Sequence, residues 1–120
     1  TTLALLTRVV RDAAVPGLRV IFISVDPARD TPEIVRNYVT AFDPSFVGLT
    51  GTQDEIDVAT LRFGVAAKRV EQPGGGYSVD HSAVVFLLDS RGRNVAVFTP
   101  PFDARAMVQD LRSVATELGT

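Results

Sequence analysis

The chain has 120 residues, of which 46% are hydrophobic and 22% charged, and its formal net charge is −2. These proportions are typical of one globular domain and exclude a disordered or collagen-like chain. The chain has no Cys and a single His, His81, which excludes a Cys nucleophile, an internal disulfide and a zinc site of Cys and His ligands. Because basic residues are not in surplus, we expect no nucleic-acid partner.

Apolar spacing predicts helices that alternate with strands along residues 1–120. Leu3, Leu6, Val10 and Ala13 recur at helical steps, and Pro16 and Gly17 end this first helix. The predicted strands are residues 19–25, 46–49, 65–70, 83–88 and 94–98. Three further helices are predicted from their capping residues. The second helix begins at Thr31 and Pro32, and the third begins at the capping box of Thr52 and Glu55 and ends at Gly64. Asp103 caps the last helix.

This alternation predicts a single layered α/β domain. The turn at residues 90–93 adds an antiparallel strand pair after residues 83–88. A thioredoxin-like arrangement fits this order, and a small flavodoxin-like fold fits the alternation as well. No apolar run approaches the roughly 20 residues of a membrane-spanning helix, and no signal peptide is visible after Thr1.

His81 is the first candidate for a functional residue. It follows the glycine-rich residues 72–76 and precedes the strand at residues 83–88, so we expect it on a loop at the end of the sheet. With Asp80 beside it, His81 can act as a metal ligand, a general base or a pH switch; the alternative is a surface His bonded to Asp80 or backbone. A Ser-His-Asp hydrolase is not expected, because Ser82 is adjacent to His81 and no Gly-x-Ser-x-Gly elbow exists.

The second candidate is the polar run Asp-Pro-x-Arg-Asp-Thr-Pro at residues 26–32. It follows a strand at the carboxyl end, where α/β folds place their sites. The alternative is helix capping together with a charge cluster of Arg29 and Asp30.

Two further features are interpreted as structural. Residues 74–76 lack the Lys-Ser/Thr that follows the glycines of a phosphate-binding loop, and they are interpreted as a mobile loop. Asp54 and Asp57 are interpreted as part of the solvated face of the third helix.

Three stretches together resemble the Sco/SenC copper-chaperone family. They are residues 20–32, which end in the Asp-Pro-x-Arg-Asp-Thr-Pro run, the Tyr-Ser-Val-Asp-His-Ser step at residues 77–82, and Phe-Leu-Leu-Asp-x-x-Gly at residues 86–92. The opening residues 1–4 also look like the sequence that follows the family's Cys-x-x-x-Cys-Pro motif. The resemblance spans nearly the whole chain in order.

The resemblance implies a thioredoxin-like fold and a role in building the copper centre of cytochrome oxidase. In such proteins the two cysteines and one histidine hold copper, a ligand set soft enough for Cu(I). The ligand carried over to this chain is His81, with Asp80 as the partner that fixes its tautomer. The two cysteines are absent from this chain. We therefore expect a fragment that begins just after the motif and lacks a central strand, which leaves unpaired edges on the strands at residues 20–25 and 83–88.

The functional prediction is a copper-chaperone or thiol-disulfide redox domain, a metallochaperone more than a turnover enzyme. Its implied partners are a copper-accepting oxidase subunit and other copper carriers, and a dimer of the fragment is considered. The implied location is the periplasmic side of the bacterial inner membrane, with the anchor outside this chain. The alternative is a cysteine-free thioredoxin-like interaction module, and a peroxiredoxin-like peroxidase is a third reading. The coding sequence upstream of Thr1 distinguishes these.

Overall fold

The computed structural model describes residues 2–64, 67–81 and 84–117, without the side chains of residues 67–70 and 77–81. The elements are α1 (Thr2–Ala13), β1 (Ile21–Ile23), α2 (Pro32–Thr40), β2 (Val47–Leu49), α3 (Gln53–Phe63), β3 (Ala67–Glu71), β4 (Tyr77–His81), β5 (Val85–Leu88), β6 (Asn94–Phe98) and α4 (Ala104–Glu117). The chain divides into two compact units, residues 1–20 with 83–120 and residues 21–82.

In the first unit, α1 and α4 pack together and against one face of the β5–β6 hairpin. The buried centre is formed by Val9 and Ala13 of α1 with Met107 and Leu111 of α4. Partly buried side chains from the hairpin pack on this centre, among them Val85, Leu87 and Phe98. The apolar spacing of both helices therefore produces the stripe that faces this core.

A long-range contact closes the carboxyl end of α1. The guanidinium of Arg112 donates from Nη2 to the carbonyl of Asp12 at 2.6 Å and from Nε to the carbonyl of Ala13 at 3.3 Å. These carbonyls belong to the last turn of α1, where a helix has no internal donors left. The α4 side chain thus satisfies the end of a helix that lies about a hundred residues earlier in the sequence.

The β5–β6 hairpin is antiparallel, with a register irregularity next to Leu87 and Leu88. Its turn is held by the carboxylate of Asp89, which accepts the backbone N–H groups of Arg91 and Arg93 at 2.9 Å each and pairs with the Arg93 Nε at 2.8 Å. The hydrogen bond from the Arg93 backbone is the main reason that the pKa of Asp89 is lowered. Gly92 has φ +79, a left-handed conformation that favours glycine.

In the second unit, β1 and β2 are parallel, and α2 covers one face of the pair. The ring of Phe22 meets Tyr38 of α2 edge to face at 5.7 Å, and Gly48 lies against Val35 so closely that an added Cβ would come within 2.9 Å of the Val35 carbonyl oxygen. The opposite face carries four exposed aliphatic side chains, which are Ile21, Ile23, Val47 and Leu49. This sheet is therefore covered by a helix of its own unit on one side only.

The helix signals of this unit are confirmed. Thr31 caps α2 and accepts the N–H of Ile34 at 3.3 Å, with Pro32 in the first turn. Thr52 and Glu55 form the complete capping box of α3, and Gly64 ends that helix with φ +70. The hydrogen bond from the Thr52 backbone to the Glu55 carboxylate lowers the pKa of Glu55.

The predicted loop around His81 is wrong over residues 77–81. These residues form β4, which pairs antiparallel with β3 in a register that places His81 opposite Ala67. The glycine-rich residues between the strands supply the reversal, since Gly75 and Gly76 have φ values of +91 and +75. The sequence predicts a mobile loop at these glycines, whereas in the structure they form a hairpin turn. The residues after the turn therefore run antiparallel to β3.

The strands of the described residues pair as three two-stranded sheets. Within residues 2–64, 67–81 and 84–117, β1 pairs only with β2, and β5 pairs only with β6. The strands predicted at residues 19–25 and 83–88 are shorter in the structure, at three and four residues. Each therefore presents one edge with no strand beside it in the described part of the chain.

Candidate functional site

The backbone of His81 ends β4, and Asp80 precedes it opposite Lys68. The side chains of both residues lie outside the described residues. The roles of His81 as ligand and of Asp80 as its hydrogen-bond partner therefore stay predictions.

The turn after β1, residues 24–32, is built around a buried hydroxyl. Ser24 is 2% exposed; its Oγ donates to the Asp30 Oδ2 at 2.5 Å and accepts the backbone N–H of Asp26 at 3.1 Å. The backbone N–H groups of Arg29 and Asp30 both donate to the Asp26 carbonyl. These bonds fix the polar run directly before the Thr31 cap of α2.

Two carboxylates of the polar run have different partners. Arg29 pairs with Asp26, with 3.6 Å between Nε and Oδ2, while Asp30 accepts the Ser24 hydroxyl. The turn therefore folds residues 26 and 29 onto each other. Ser24 is not among the candidate residues named from the sequence; its signal there is a polar residue at the end of an apolar strand.

The expected solvated face of α3 is confirmed. Asp54 and Asp57 are exposed, and Asp57 accepts a hydrogen bond from the Gln53 side chain at 2.8 Å. Among the described residues neither carboxylate belongs to a cluster of metal ligands, and their place on the first turns of α3 suits the helix dipole.

The donor set of this chain does not fit a tight copper site by itself. Copper sites that accept Cu(I) use thiolate or thioether ligands, and the chain has no Cys. Within the described residues, no group of three or more His, Cys, Asp or Glu side chains could hold a metal ion. The turn after β1 offers hydroxyl and carboxylate oxygens, which are hard ligands.

Comparison with known families and structures identifies the chain. The model of the SCO1/SenC family matches residues 1–116. The chain belongs to the SCO1/SenC family. An SCO2-like protein of Rickettsia typhi is 35% identical over 95 residues, which cover 78% of this chain and 47% of the relative. Mitochondrial SCO2 of Saccharomyces cerevisiae is 34% identical over 94 residues, which cover 77% of this chain and 31% of that protein.

Solved Sco structures have the same fold. Arabidopsis thaliana ScoI with copper bound superposes with a TM-score of 0.85 at 29% identity, over 98% of this chain and 73% of that one. Yeast Sco1 with copper bound gives a TM-score of 0.82 at 31% identity, over 96% and 66% of the two chains. The predicted α/β, thioredoxin-like fold is thereby confirmed, and the resemblance read from residues 20–32 and 77–82 identified the correct family.

The chain spans 47% and 31% of the length of the two curated relatives described above. Among its described residues, no helix is long and apolar enough to cross a membrane.

Proposed function

We propose that this SCO1/SenC chain acts as part of a copper-chaperone or thiol-disulfide redox domain that assembles the copper centre of cytochrome c oxidase. The family match over residues 1–116 carries the proposal. Two of the superposed relatives have copper bound, and the curated SCO1 of Saccharomyces cerevisiae is mitochondrial.

In this proposal His81 is the copper ligand that these 120 residues contribute. A neutral imidazole suits copper in both oxidation states, and a hydrogen bond from its second ring nitrogen to Asp80 would fix the tautomer. Two thiolates would complete the set, and the 120 residues contain no cysteine to supply them. Copper is the cargo here, so the ligand set must hold it and also release it to an acceptor.

The same two thiols can carry the redox role. A thiolate attacks a partner's disulfide and forms a mixed disulfide, which the second thiolate resolves. The domain's two sulfurs then share a bond, and the partner's two sulfurs have gained two electrons and two protons. No outside oxidant is needed, because the partner's disulfide is the oxidant.

The proposed partners are a copper-accepting oxidase subunit and other copper carriers, and the proposed location is the periplasmic side of the bacterial inner membrane. Both follow from the family alone.

The turn of Asp26–Arg29 pairs an acid with a base at the protein surface, and we expect it to tolerate single substitutions without loss of copper binding.

The test uses the longest natural protein that contains this chain. Cu(I) is titrated against a competing chelator in the wild type, His81→Ala and Gln109→Ala, where Gln109 is an exposed residue of α4. We expect a one-to-one site that weakens at least tenfold in His81→Ala and is unchanged in Gln109→Ala. Equal affinities in all three proteins would overturn the assignment of His81, and absence of any Cu(I) site would overturn the chaperone role.

A second candidate is an interaction module without metal or redox activity. The absence of Cys from all 120 residues favours it, since a thioredoxin-like scaffold can bind partners without a metal. The natural coding sequence upstream of Thr1 decides between the two. A Cys-x-x-x-Cys-Pro motif directly before Thr1 supports the chaperone, and its replacement by other residues supports the module.

A further inference from the structure

An open cavity of about 220 Å3 lies beside the end of β6 and the first two turns of α4. Its lining includes three apolar side chains, Phe98, Phe102 and the 3% exposed Met107. Two exposed carboxylates, Asp103 and Asp110, also line it. All of these residues belong to one compact unit. The combination suits a ligand with an apolar stem and a cationic tip, which is the chemistry of Lys and Arg side chains.

The two carboxylates are available to such a ligand. They stand seven residues apart, so they share one face of α4 at about 10 Å along its axis. Asp103 caps the helix by accepting the N–H of Ala106 at 3.2 Å through one oxygen. The Asp110 carboxylate forms no hydrogen bond or ion pair with any other described residue. The guanidinium of Arg112, which is also on α4, donates its hydrogen bonds to carbonyls of α1.

The strand next to the cavity has a free edge. In the part of the chain that the structure describes, β6 is hydrogen-bonded to β5 only. The register irregularity opposite Leu87 and Leu88 lies towards the hairpin turn, so the regular part of β6 is the end that reaches the cavity. There Val97 is 49% exposed and lines the cavity. An unpaired edge beside a pocket is the arrangement to which an extended peptide adds as a further strand.

We propose that the β6 edge and the α4 carboxylates form a docking groove for an extended segment of a partner protein in which basic and apolar residues alternate. The segment's backbone pairs with β6, its apolar side chains cover Val97 and the cavity, and a Lys or Arg lies over Asp110. The charge complementarity selects a basic segment over an acidic one. This groove contains no residue of the copper site proposed above, so the two proposals stand or fall separately.

The test measures amide chemical shifts of the ¹⁵N-labelled chain during titration with two blocked peptides. The probes are acetyl-Lys-Val-Lys-Val-Lys-amide and acetyl-Glu-Val-Glu-Val-Glu-amide. Lysine amide is titrated separately, to test whether a single lysine without an extended backbone causes the same shifts. We expect saturable shifts confined to β6 and the first two turns of α4 with the basic peptide only. Raising the salt concentration should weaken this binding, because the charges are exposed.

Matched variants separate the groove from general acidity. Asp110→Asn should raise the Kd of the basic peptide about two- to fivefold, the range of one exposed ion pair, and Asp110→Lys should abolish its preference over the acidic peptide. Asp54→Asn removes the same charge from the exposed face of α3 and should change nothing. Equal binding of both peptides, an unchanged Kd in Asp110→Asn, or lysine amide producing the same shifts as the peptide would each overturn the proposal.

Discussion

Replacing Gly48 by alanine should destabilise the protein, because α2 approaches β2 too closely for a side chain at this position. A Cβ on Gly48 would lie 2.6 Å from the Val35 Cγ1, 2.9 Å from the Val35 carbonyl oxygen and 3.1 Å from its carbonyl carbon. Two of these three atoms belong to the backbone of a residue that is 2% exposed. The contact can therefore be relieved only if helix and strand move apart.

The magnitude follows from two opposing effects. Forcing an extra carbon into a packed interior lowers the free energy of unfolding by about 1–3 kcal/mol. Replacing glycine by alanine also restricts the unfolded chain, which raises the free energy of unfolding by about 0.4–1 kcal/mol. The net expectation is a loss of about 1–2 kcal/mol. With a urea slope of about 2 kcal/mol per molar, the middle of the range for small proteins, the unfolding midpoint should fall by about 0.5–1 M.

The assay is urea unfolding followed by circular dichroism, with Gly74→Ala as the matched control. An added Cβ at Gly74 meets no atom within 4 Å, and its φ lies outside the left-handed range, so this variant should be as stable as wild type or slightly more so. Val35→Ala combined with Gly48→Ala should lose less than the two single changes together, because the Cγ1 contact is gone while the carbonyl contact remains. Equal midpoints for Gly48→Ala and Gly74→Ala would refute the close approach.

Other predictions concern copper, the cap of α3 and the end of α1. The 120-residue chain should show no strong one-to-one Cu(I) site when Cu(I) is titrated against a competing chelator. A longer chain with an upstream segment that carries two cysteines should have such a site and a higher melting temperature. A tight Cu(I) complex of the 120-residue chain that is lost in His81→Ala would contradict this prediction. The pKa of Glu55 is lowered by its bond to the Thr52 backbone, so its contribution is present above the unfolded-state pKa and is lost as pH falls through the folded-state value. The destabilisation caused by Glu55→Gln should thus shrink in acid, and a pH-independent effect would refute the cap. Arg112→Ala should lower the free energy of unfolding by about 1 kcal/mol, because the carbonyls at the end of α1 lose their hydrogen-bond donor. Arg105→Ala, at an exposed position, should change it by less than about 0.5 kcal/mol. Equal melting temperatures of the two variants would count against the contact.

The sequence by itself determined the local elements and the family. The capping residues Thr31, Thr52 with Glu55, and Gly64 act on backbone groups within a few residues of themselves, so their roles can be read without the fold. The family followed from three stretches in the right order, at residues 20–32, 77–82 and 86–92. Chemistry that needs particular residue types at fixed spacing leaves such a trace in the sequence.

Tertiary structure decided which partners these residues meet. The predicted strand at residues 19–25 contains the apolar run Val20–Ile23, yet α2 covers only the Phe22 face, and Ile21 and Ile23 are exposed. A sequence records how apolar a strand is, but not which element covers it. The close contact of Gly48 with Val35 depends in the same way on how β2 folds back against α2, because it joins groups whose approach no local pattern encodes.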